Sequence, residues 1–504
     1  MQYDVDTIHL ENVEMKCDDL KGRENVIINA NLDEFLSNPI QVIKDNISKI
    51  ISIHKTNVSE MEYLNNFFKG RQDILDKVRA NGDTKINNKH ITNYAWEFVN
   101  FKKGYYVGKP IKYVNLDVEN NEDIKYLNMY NRDVNKSSKD LVKYENMLIT
   151  GIAHTMTIPS RQDYDTEKNS PYEYIVLDND NVCVVKSNDI FKTKLCSICF
   201  SNIKENDNDI PFYTIYYENN VLQLKGSELE LVKSEKYPIY NPITEYQLNE
   251  QRMGIFEPII NSLNSLNMIR SNQMDLLEEN VNKYITFENV DISQVLENID
   301  KFRKKKILAV NTNGPHEAKV GSVDVSSDTN TTNSTYNDIE QRSYDIVGVP
   351  MPTSSTGQGV SGEAQVYGGG WENAQTIANV DTEYIKQFER EDLEKMLYIS
   401  EIAINSKTTN LNPYNIDIKY TINKSNNMLV KSQTFKYLRD LKVPFEQALE
   451  MSELTDDPHT IAKLSEENVK KEKLQEIEFE IEKENKLNEI KSQNQNVNEN
   501  IQEQ

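Results

Sequence analysis

The sequence has 504 residues and a formal charge of −23, and 38% of its residues are hydrophobic, which suffices for several modest cores. So acidic a chain is not a general nucleic-acid binder that neutralises phosphates with lysine and arginine. No apolar run approaches the roughly 20 residues that span a bilayer, and the N-terminus lacks the pattern of a secretory signal, so we expect a soluble protein made in the cytoplasm.

The first 150 residues have mainly helical periodicity, interrupted by one aromatic β-type run. We expect Gly104 to end the helix that precedes this run, because glycine commonly terminates helices. The predicted elements are two helices within residues 39–80 (the second Ser59–Arg79), a helix His90–Lys103, a β segment Tyr105–Tyr113, and helices over 121–133 and 137–150.

Residues 151–232 change to short alternating runs separated by Asn and Asp turns, which predicts a β-rich subdomain. Cys196 and Cys199 have the spacing of half a zinc site, but the sequence has no second pair, and Lys192–Phe200 has a strand pattern. Four cysteines in so long a chain do not form a disulfide framework. We therefore predict a strand here, and neither a metal site nor a cofactor.

Residues 254–285 have apolar positions in one helical stripe, which needs a packing partner along its length. A compact insertion, residues 286–329, follows and holds five cations within six positions. Such a run is either a solvated charge cluster or a docking patch for an acidic partner. The five residues are Lys301, Arg303, Lys304, Lys305 and Lys306.

Seven of the 17 glycines fall between Gly348 and Gly370. A helical pattern over Asn337–Val347 precedes them, and a long helical pattern, Glu363–Ile404, begins among the last of them. Two prolines exclude helix at the start of this loop, and its glycines permit conformations closed to other residues. A loop of this length is either a connector or a functional element. Its side chains are neutral hydrogen-bonding groups: Thr353, Ser354, Ser355, Thr356, Gln358 and Ser361.

The loop also contains Gly357-x-Gly359-x-x-Gly362, which matches the dinucleotide-binding fingerprint. That motif needs a strand before its first glycine and a helix after its last. Prolines and hydroxyl residues precede this one, and three further glycines interrupt the helical pattern after it. This context disfavours dinucleotide binding, and a nucleotide- or metal-dependent cytoplasmic enzyme that uses this loop is kept as the alternative hypothesis. No catalytic residue is predicted, because the six histidines are scattered along the chain.

The C-terminal part begins with a strand pattern at Ile416–Ile422, and Leu464–Ile490 has a charged helical pattern. The Gln- and Asn-rich end that follows is predicted to be disordered. A scaffold that associates through this helix as a small coiled coil is a further alternative.

In their order along the chain, five segments resemble the portal proteins of tailed double-stranded DNA bacteriophages. They are Asn87–Tyr94, Gly104–Ile111, Ser271–Asp275, Val349–Pro350 and Ser361–Ala364. Each is short, so the order is what makes the resemblance specific.

The resemblance implies an α+β portal fold, mainly helical, that forms rings. The long helix would be kinked, with Gly368, Gly369 and Gly370 as its hinge. The implied regions are a wing (1–253), a stem helix (254–285), a clip (286–329), a second stem helix (330–350), a tunnel loop (351–362), the long helix (363–406), a wing strand (407–430) and a helical crown with a disordered tail (431–504).

The function implied by this resemblance is a dodecameric ring at one capsid vertex, through which double-stranded DNA is packaged and ejected. The chain would be a non-enzymatic component of the virion, assembled in the bacterial cytoplasm. Its tunnel-loop residues 353–356, 358 and 361 would face DNA, and the cations at 301 and 303–306 would dock a partner. The implied partners are further copies of the chain, the terminase large subunit, head–tail connector and tail proteins, and the major capsid and scaffolding proteins, with no membrane.

Overall fold

A computed structural model gives the fold. It describes residues 5–6, 16–78, 86–115, 121–161, 168–205, 208–281, 284–289, 317, 319–323, 329–351, 370–422, 428–452, 454–455 and 458–502. The chain divides into two compact units, one comprising Met1–Ile111 and Asn115–Ile422, the other Lys112–Val114 and Asn423–Gln504. None of the helices in the described ranges is both long enough and apolar enough to cross a membrane.

Helices and strands are mixed along the chain, as the predicted α+β class requires. The helices are α1 (Leu32–Ser37), α2 (Pro39–Phe68), α3 (Tyr94–Val107), α4 (Asn121–Asp133), α5 (Lys136–Thr150), α6 (Ile260–Val281), α7 (Thr329–Val347), α8 (Trp371–Ile402), α9 (Met428–Asp440), α10 (Phe445–Met451) and α11 (Pro458–Gln502). The strands are β1 (Val5–Asp6), β2 (Val26–Ile28), β3 (Lys112–Asn115), β4 (Ile152–Pro159), β5 (Tyr172–Leu177), β6 (Val182–Ser187), β7 (Lys194–Glu205), β8 (Asn208–Tyr217), β9 (Asn220–Lys225), β10 (Glu230–Lys236), β11 (Ile243–Gln247), β12 (Tyr284–Glu288), β13 (Lys319–Val323) and β14 (Ile416–Lys419).

The larger sheet confirms the predicted β-rich region. Its strand order is β10-β9-β8-β7-β6-β2, and β1 also pairs with β7. β2 runs parallel to β6, with Val26 opposite Val185, while the other neighbours are antiparallel. Helices α1 and α2 bury their apolar side chains, including Phe35, Ile43 and Ile50, against this sheet. A second sheet, β11-β4-β5, lies nearer to α5 and α8.

The strand predicted around Cys196 is confirmed, because β7 contains both Cys196 and Cys199. Cys196 is fully buried, and burial raises the pKa of its thiol. Zinc binds the thiolate, which this environment disfavours. Among the residues that the structure describes, no three His, Cys, Asp or Glu side chains are arranged to hold a metal ion.

The prediction of two helices within residues 39–80 was wrong, since α2 is one continuous helix of 30 residues. Residues 58–61 are buried, so packing carries the helix past the expected break. The helix ends at Phe68, and Gly70, two residues later, has a φ of 85°. The amides of Gly70 and Arg71 donate to the carbonyls of Phe67 and Asn66, as in a Schellman motif.

The prediction that Gly104 ends a helix was also wrong, because α3 continues to Val107. A Cβ built on Gly104 would meet nothing within 4 Å, so this glycine faces open space inside the helix. Tyr105 and Tyr106 are buried on the helix rather than on the predicted β segment. The strand starts only at Lys112.

The predicted helix 254–285 is shorter than expected. A 3₁₀ turn at Glu257–Ile259 leads into α6, which ends at Val281. Residues 284 and 285 belong instead to β12, which pairs antiparallel with β13 at the far end of the insertion. The two strands close the base of the insertion, and the basic cluster 301–306 lies outside the described residues.

The long helix α8 begins at Trp371, with Gly370 at its N-cap in a left-handed conformation (φ 88°). Gly370 therefore lies outside the described helix rather than within it, and Gly368 and Gly369 fall outside the described residues. In the second unit, α11 continues to Gln502, through the segment whose composition predicted disorder.

Candidate functional site

The glycine-rich loop enters and leaves the described structure at one place. Its predicted DNA-facing residues, 353–356, 358 and 361, lie outside the described residues. The two bases of the loop, which are the end of α7 with residues 348–350 and the start of α8 with Gly370, are described. A Cβ built on Gly370 would lie 3.6 Å from the Cα of Pro350. The loop therefore starts and finishes side by side, next to the end of α7 and the start of α8.

The first base is fixed by the backbone at the end of α7. The amides of Gly348 and Val349 both donate to the Tyr344 carbonyl, at 2.9 and 3.0 Å. Gly348 has a φ of 69°, and a Cβ there would lie 2.3 Å from Cδ1 of Ile377 on α8. Glycine suits this position because other residues rarely adopt this conformation and because an added Cβ would force the end of the Ile377 side chain to move.

Two reciprocal hydrogen bonds attach this base to α3. The hydroxyl of Tyr344 donates to Glu97 at 2.8 Å, and that of Tyr94 donates to Glu340 at 2.5 Å. Each helix thus supplies one tyrosine and one glutamate. Burial, reinforced by the hydrogen bond to Glu97, raises the pKa of Tyr344, which remains a neutral donor.

The second base is attached to the same helix. Trp371, the first residue of α8, packs against the rings of Phe101 and Tyr105 with centroid distances of 5.8 and 6.2 Å. Nearly three turns further along α8, Asp381 accepts a hydrogen bond of 2.6 Å from the hydroxyl of Tyr106. Helix α3 is therefore a common support for both bases of the loop.

A second contact connects α6 to the extended segment before α3. The backbone amides of Asn88, His90 and Thr92 donate to side chains at positions 275, 271 and 267 of α6, at 2.6, 2.9 and 2.9 Å. Two residues of extended chain rise about 6.5 Å, and four residues of helix rise about 6 Å. The two periods therefore match over three successive contacts, and the segments Asn87–Tyr94 and Ser271–Asp275 meet here.

Helices α6 and α7 pack against each other across the insertion that joins them. The guanidinium of Arg270 lies 3.9 Å from the centre of the Tyr336 ring. Gln273 donates a hydrogen bond of 3.0 Å to Asn333. Their exposed residues include the carboxylates Glu278, Asp338 and Asp345.

Buried charges hold α8 against α5. Glu389 is fully buried and accepts from Lys136 and Lys143, at 2.5 and 2.8 Å, and from the hydroxyl of Tyr246 at 2.9 Å. Asp140 completes the cluster beside both lysines. Burial alone would raise the pKa of Glu389, but the two ammonium groups lower it far below its usual range. The long helix is thus attached to α5 by compensated charges.

The comparison with protein families identifies the group to which these elements belong. A family described as phage portal protein, SPP1 Gp6-like, matches residues 47–487. The chain belongs to this family. No curated protein matches the sequence.

The family match confirms the predicted resemblance to phage portal proteins and fits the α+β class. The matched span contains α3, both helices that flank the insertion, and α8. The proposed clip residues, tunnel-loop residues and hinge remain predictions.

The support on α3 and the charge cluster on α8 were not predicted from the sequence. Lys136, Asp140 and Lys143 have the spacing of one helix face, which ordinarily indicates a solvated surface. The spacing of Tyr94, Phe98, Phe101 and Tyr105 was a usable signal, since it places four aromatic side chains along one face of a helix, which indicates a packing partner along that face.

Proposed function

We propose that this chain forms the portal ring at one vertex of a phage capsid and that double-stranded DNA passes through the ring during packaging and ejection. Twelve copies, assembled in the host cytoplasm, would surround the channel. The family match is the observation on which this rests. The shared support of both loop bases on α3 agrees with it, because a loop that projects toward moving DNA needs a rigid base.

Charge supports a channel through which DNA slides. Each phosphate that a lysine or arginine neutralises adds affinity that must be broken at the next step. Twelve copies at −23 each give a ring charge of −276. Repulsion acts over about 8 Å at physiological salt, which keeps the duplex away from an acidic wall.

The tunnel loop would be the element closest to DNA. Its hydroxyl and amide groups offer phosphates exchangeable hydrogen bonds worth about 1 kcal/mol each. Replacing Thr353, Ser354, Ser355, Thr356 and Gln358 by lysine should arrest packaging while rings still assemble. The readout is the length of DNA protected from nuclease in a packaging reaction.

A matched variant carries asparagine at the same five positions of the loop. It changes the side chains but adds no charge, so it should package DNA of normal length. Full-length packaging by the lysine variant would exclude the loop from DNA passage.

The cluster Lys301, Arg303, Lys304, Lys305 and Lys306 is the proposed docking site in the clip for the terminase large subunit and, later, for the head–tail connector. Replacing all five by glutamate should abolish binding of both partners to assembled rings, measured by co-sedimentation. An all-arginine or all-lysine cluster keeps the charge and should bind normally. Undiminished binding by the glutamate variant would contradict this role.

The ring would have no catalytic activity of its own, and the terminase would hydrolyse ATP. The nucleotide-binding alternative requires a strand directly before Gly357, whereas the last described element before the loop is helix α7. No observation favours that alternative.

Assembly is tested by the native mass of the purified protein. The expected species has about twelve times the 58.4 kDa mass of one chain. A stable monomer under assembly conditions, or a small coiled-coil oligomer, would contradict the proposal.

A further inference from the structure

A small polar cavity lies within the first unit, away from the loop and its support. Its volume is about 10 Å³, and a cavity needs roughly 10–15 Å³ to hold one water molecule. Polar lining comes from His54 and Asn57 of α2, His154 of β4, Asn179, Glu245 of β11, and Arg252. The cavity therefore has the size and the chemistry for a single water molecule.

The hydrogen-bond network determines which nitrogen of His154 carries the proton. The side-chain amide of Asn179 donates to the Ile152 carbonyl at 2.9 Å, so its oxygen is the atom that faces His154 Nδ1, at 2.9 Å. An amide oxygen only accepts, and Nδ1 must therefore be the protonated nitrogen. In neutral His154, Nε2 is then a bare acceptor.

This acceptor faces another acceptor. Nε2 of His154 lies 3.4 Å from Oε2 of Glu245. Burial alone would raise the pKa of Glu245, but the Arg252 guanidinium, which donates to both carboxylate oxygens, lowers it well below its usual range, so Glu245 is a carboxylate. Two lone pairs at this separation repel each other unless a hydrogen lies between them.

Two residues that line the cavity each have a buried nitrogen without a hydrogen-bond partner in the described part of the chain. Among the residues that the structure describes, neither His154 Nε2 nor Arg252 Nε makes a hydrogen bond. His154 is 1% exposed and Arg252 4% exposed, so bulk water does not reach them. Arg252 uses its terminal nitrogens on Glu245 and Asn25, which leaves Nε as a free donor.

We propose that this cavity is a binding site for one ordered water molecule. The water donates its two hydrogens to His154 Nε2 and Glu245 Oε2 and accepts from Arg252 Nε. These three hydrogen bonds satisfy both unpartnered nitrogens and remove the repulsion between the acceptors, within the usual number for a buried water. Direct donation from a doubly protonated His154 would give a contact of about 2.7–2.9 Å, shorter than the 3.4 Å observed.

The water would connect elements that are distant in sequence. His154 is on β4, Glu245 is opposite it on β11, and Arg252 precedes the turn into α6. The Arg252 carbonyl also accepts a hydrogen bond from the amide of Arg23 at 3.2 Å. The site thus joins the three-stranded sheet β11-β4-β5 to the segment that leads into α6.

A structure of the full-length protein at a resolution that reveals ordered water tests this site. The expected result is density about 2.7–3.2 Å from His154 Nε2, Glu245 Oε2 and Arg252 Nε. An empty cavity, or direct contact between His154 and Glu245, would overturn the proposal.

The substitution Asn179→Asp provides a second test through the proton. A carboxylate beside Nδ1 favours doubly protonated His154, whose Nε2 then donates directly to Glu245. The density should disappear, and the distance between the two side chains should shorten. Unchanged density and an unchanged distance between His154 and Glu245 in this variant would refute the assigned proton position. If the variant does not fold, the wild-type structure alone decides whether the water is bound.

Discussion

The substitution Glu389→Gln tests whether the buried charges hold α8 in position. In the wild type, Glu389 balances Lys136 and Lys143 and is fully buried. Glutamine has nearly the same shape but no charge. The variant therefore keeps the packing and leaves two buried ammonium groups with Asp140 as the carboxylate beside them both.

Removing one partner of a buried ion pair typically costs about 3–5 kcal/mol, because the remaining charge is left without compensation. Each lysine keeps Asp140 as a partner, at 2.8 to 2.9 Å, so we expect a loss near the lower end, about 3 kcal/mol.

Urea denaturation of wild type and variant, followed by the fluorescence of the two tryptophans, measures the difference. The matched control is Glu383→Gln on the same helix, whose side chain is 73% exposed and pairs with Lys386; its cost should be below about 1 kcal/mol. Equal effects of the two substitutions would refute the idea that buried charge fixes α8.

The pH dependence has a definite sign. Because the folded-state pKa of Glu389 is lowered, its contribution to stability is complete above the ordinary value of 4.5 and is lost as the pH falls below it. The difference between wild type and Glu389→Gln should therefore shrink at acid pH, and a difference that grows in acid would contradict the assignment.

Two further predictions concern the loop base and the segment that contacts α6. Gly348→Ala places a Cβ on a residue with a left-handed φ and only 2.3 Å from Cδ1 of Ile377, so it should lower the free energy of unfolding by about 1–3 kcal/mol. Adding Ile377→Val removes the contacted methyl group and should restore part of this loss. A urea midpoint that does not move in Gly348→Ala would show that the contact is relieved without cost. Asp275→Asn removes the charge that pairs with Lys77 at 2.9 Å. We expect the free energy of unfolding to fall by about 1.5–3 kcal/mol and the amide hydrogen of Asn88 to exchange faster. Unchanged exchange at Asn88 would contradict a stabilising role for this contact. Burial would raise the pKa of Asp275, but hydrogen bonds from Asn88 and Lys77 lower it, so its contribution is lost as the pH falls below the ordinary pKa of aspartate.

Local periodicity predicted those elements whose ends are set by local chemistry. Residues 121–133 were predicted as a helix and form α4 with the same limits. Gly70 is a sequence signal for the end of α2, because glycine commonly follows a helix in a Schellman motif. The helical pattern that continues to Arg79 led instead to a prediction of a longer helix.

Tertiary contacts determine the features of the fold that local periodicity did not predict. Helix α3 continues past Gly104 because Tyr105 and Tyr106, which follow it on the same helix, are buried, and periodicity alone cannot predict that burial. The parallel pairing of β2 with β6 joins residues that are far apart in sequence. The pairing of Tyr344 with Glu97 also depends on how two distant helices meet, so local sequence patterns give no indication of it.

Electron cryomicroscopy of the purified protein, viewed along its symmetry axis, tests the central claim most directly. We predict a closed ring of twelve copies whose residues 353–361 lie nearest the axis, with neutral or acidic side chains facing the bore. A chain that remains monomeric, or a ring whose bore is lined by lysine and arginine, would contradict a channel through which DNA slides without being held.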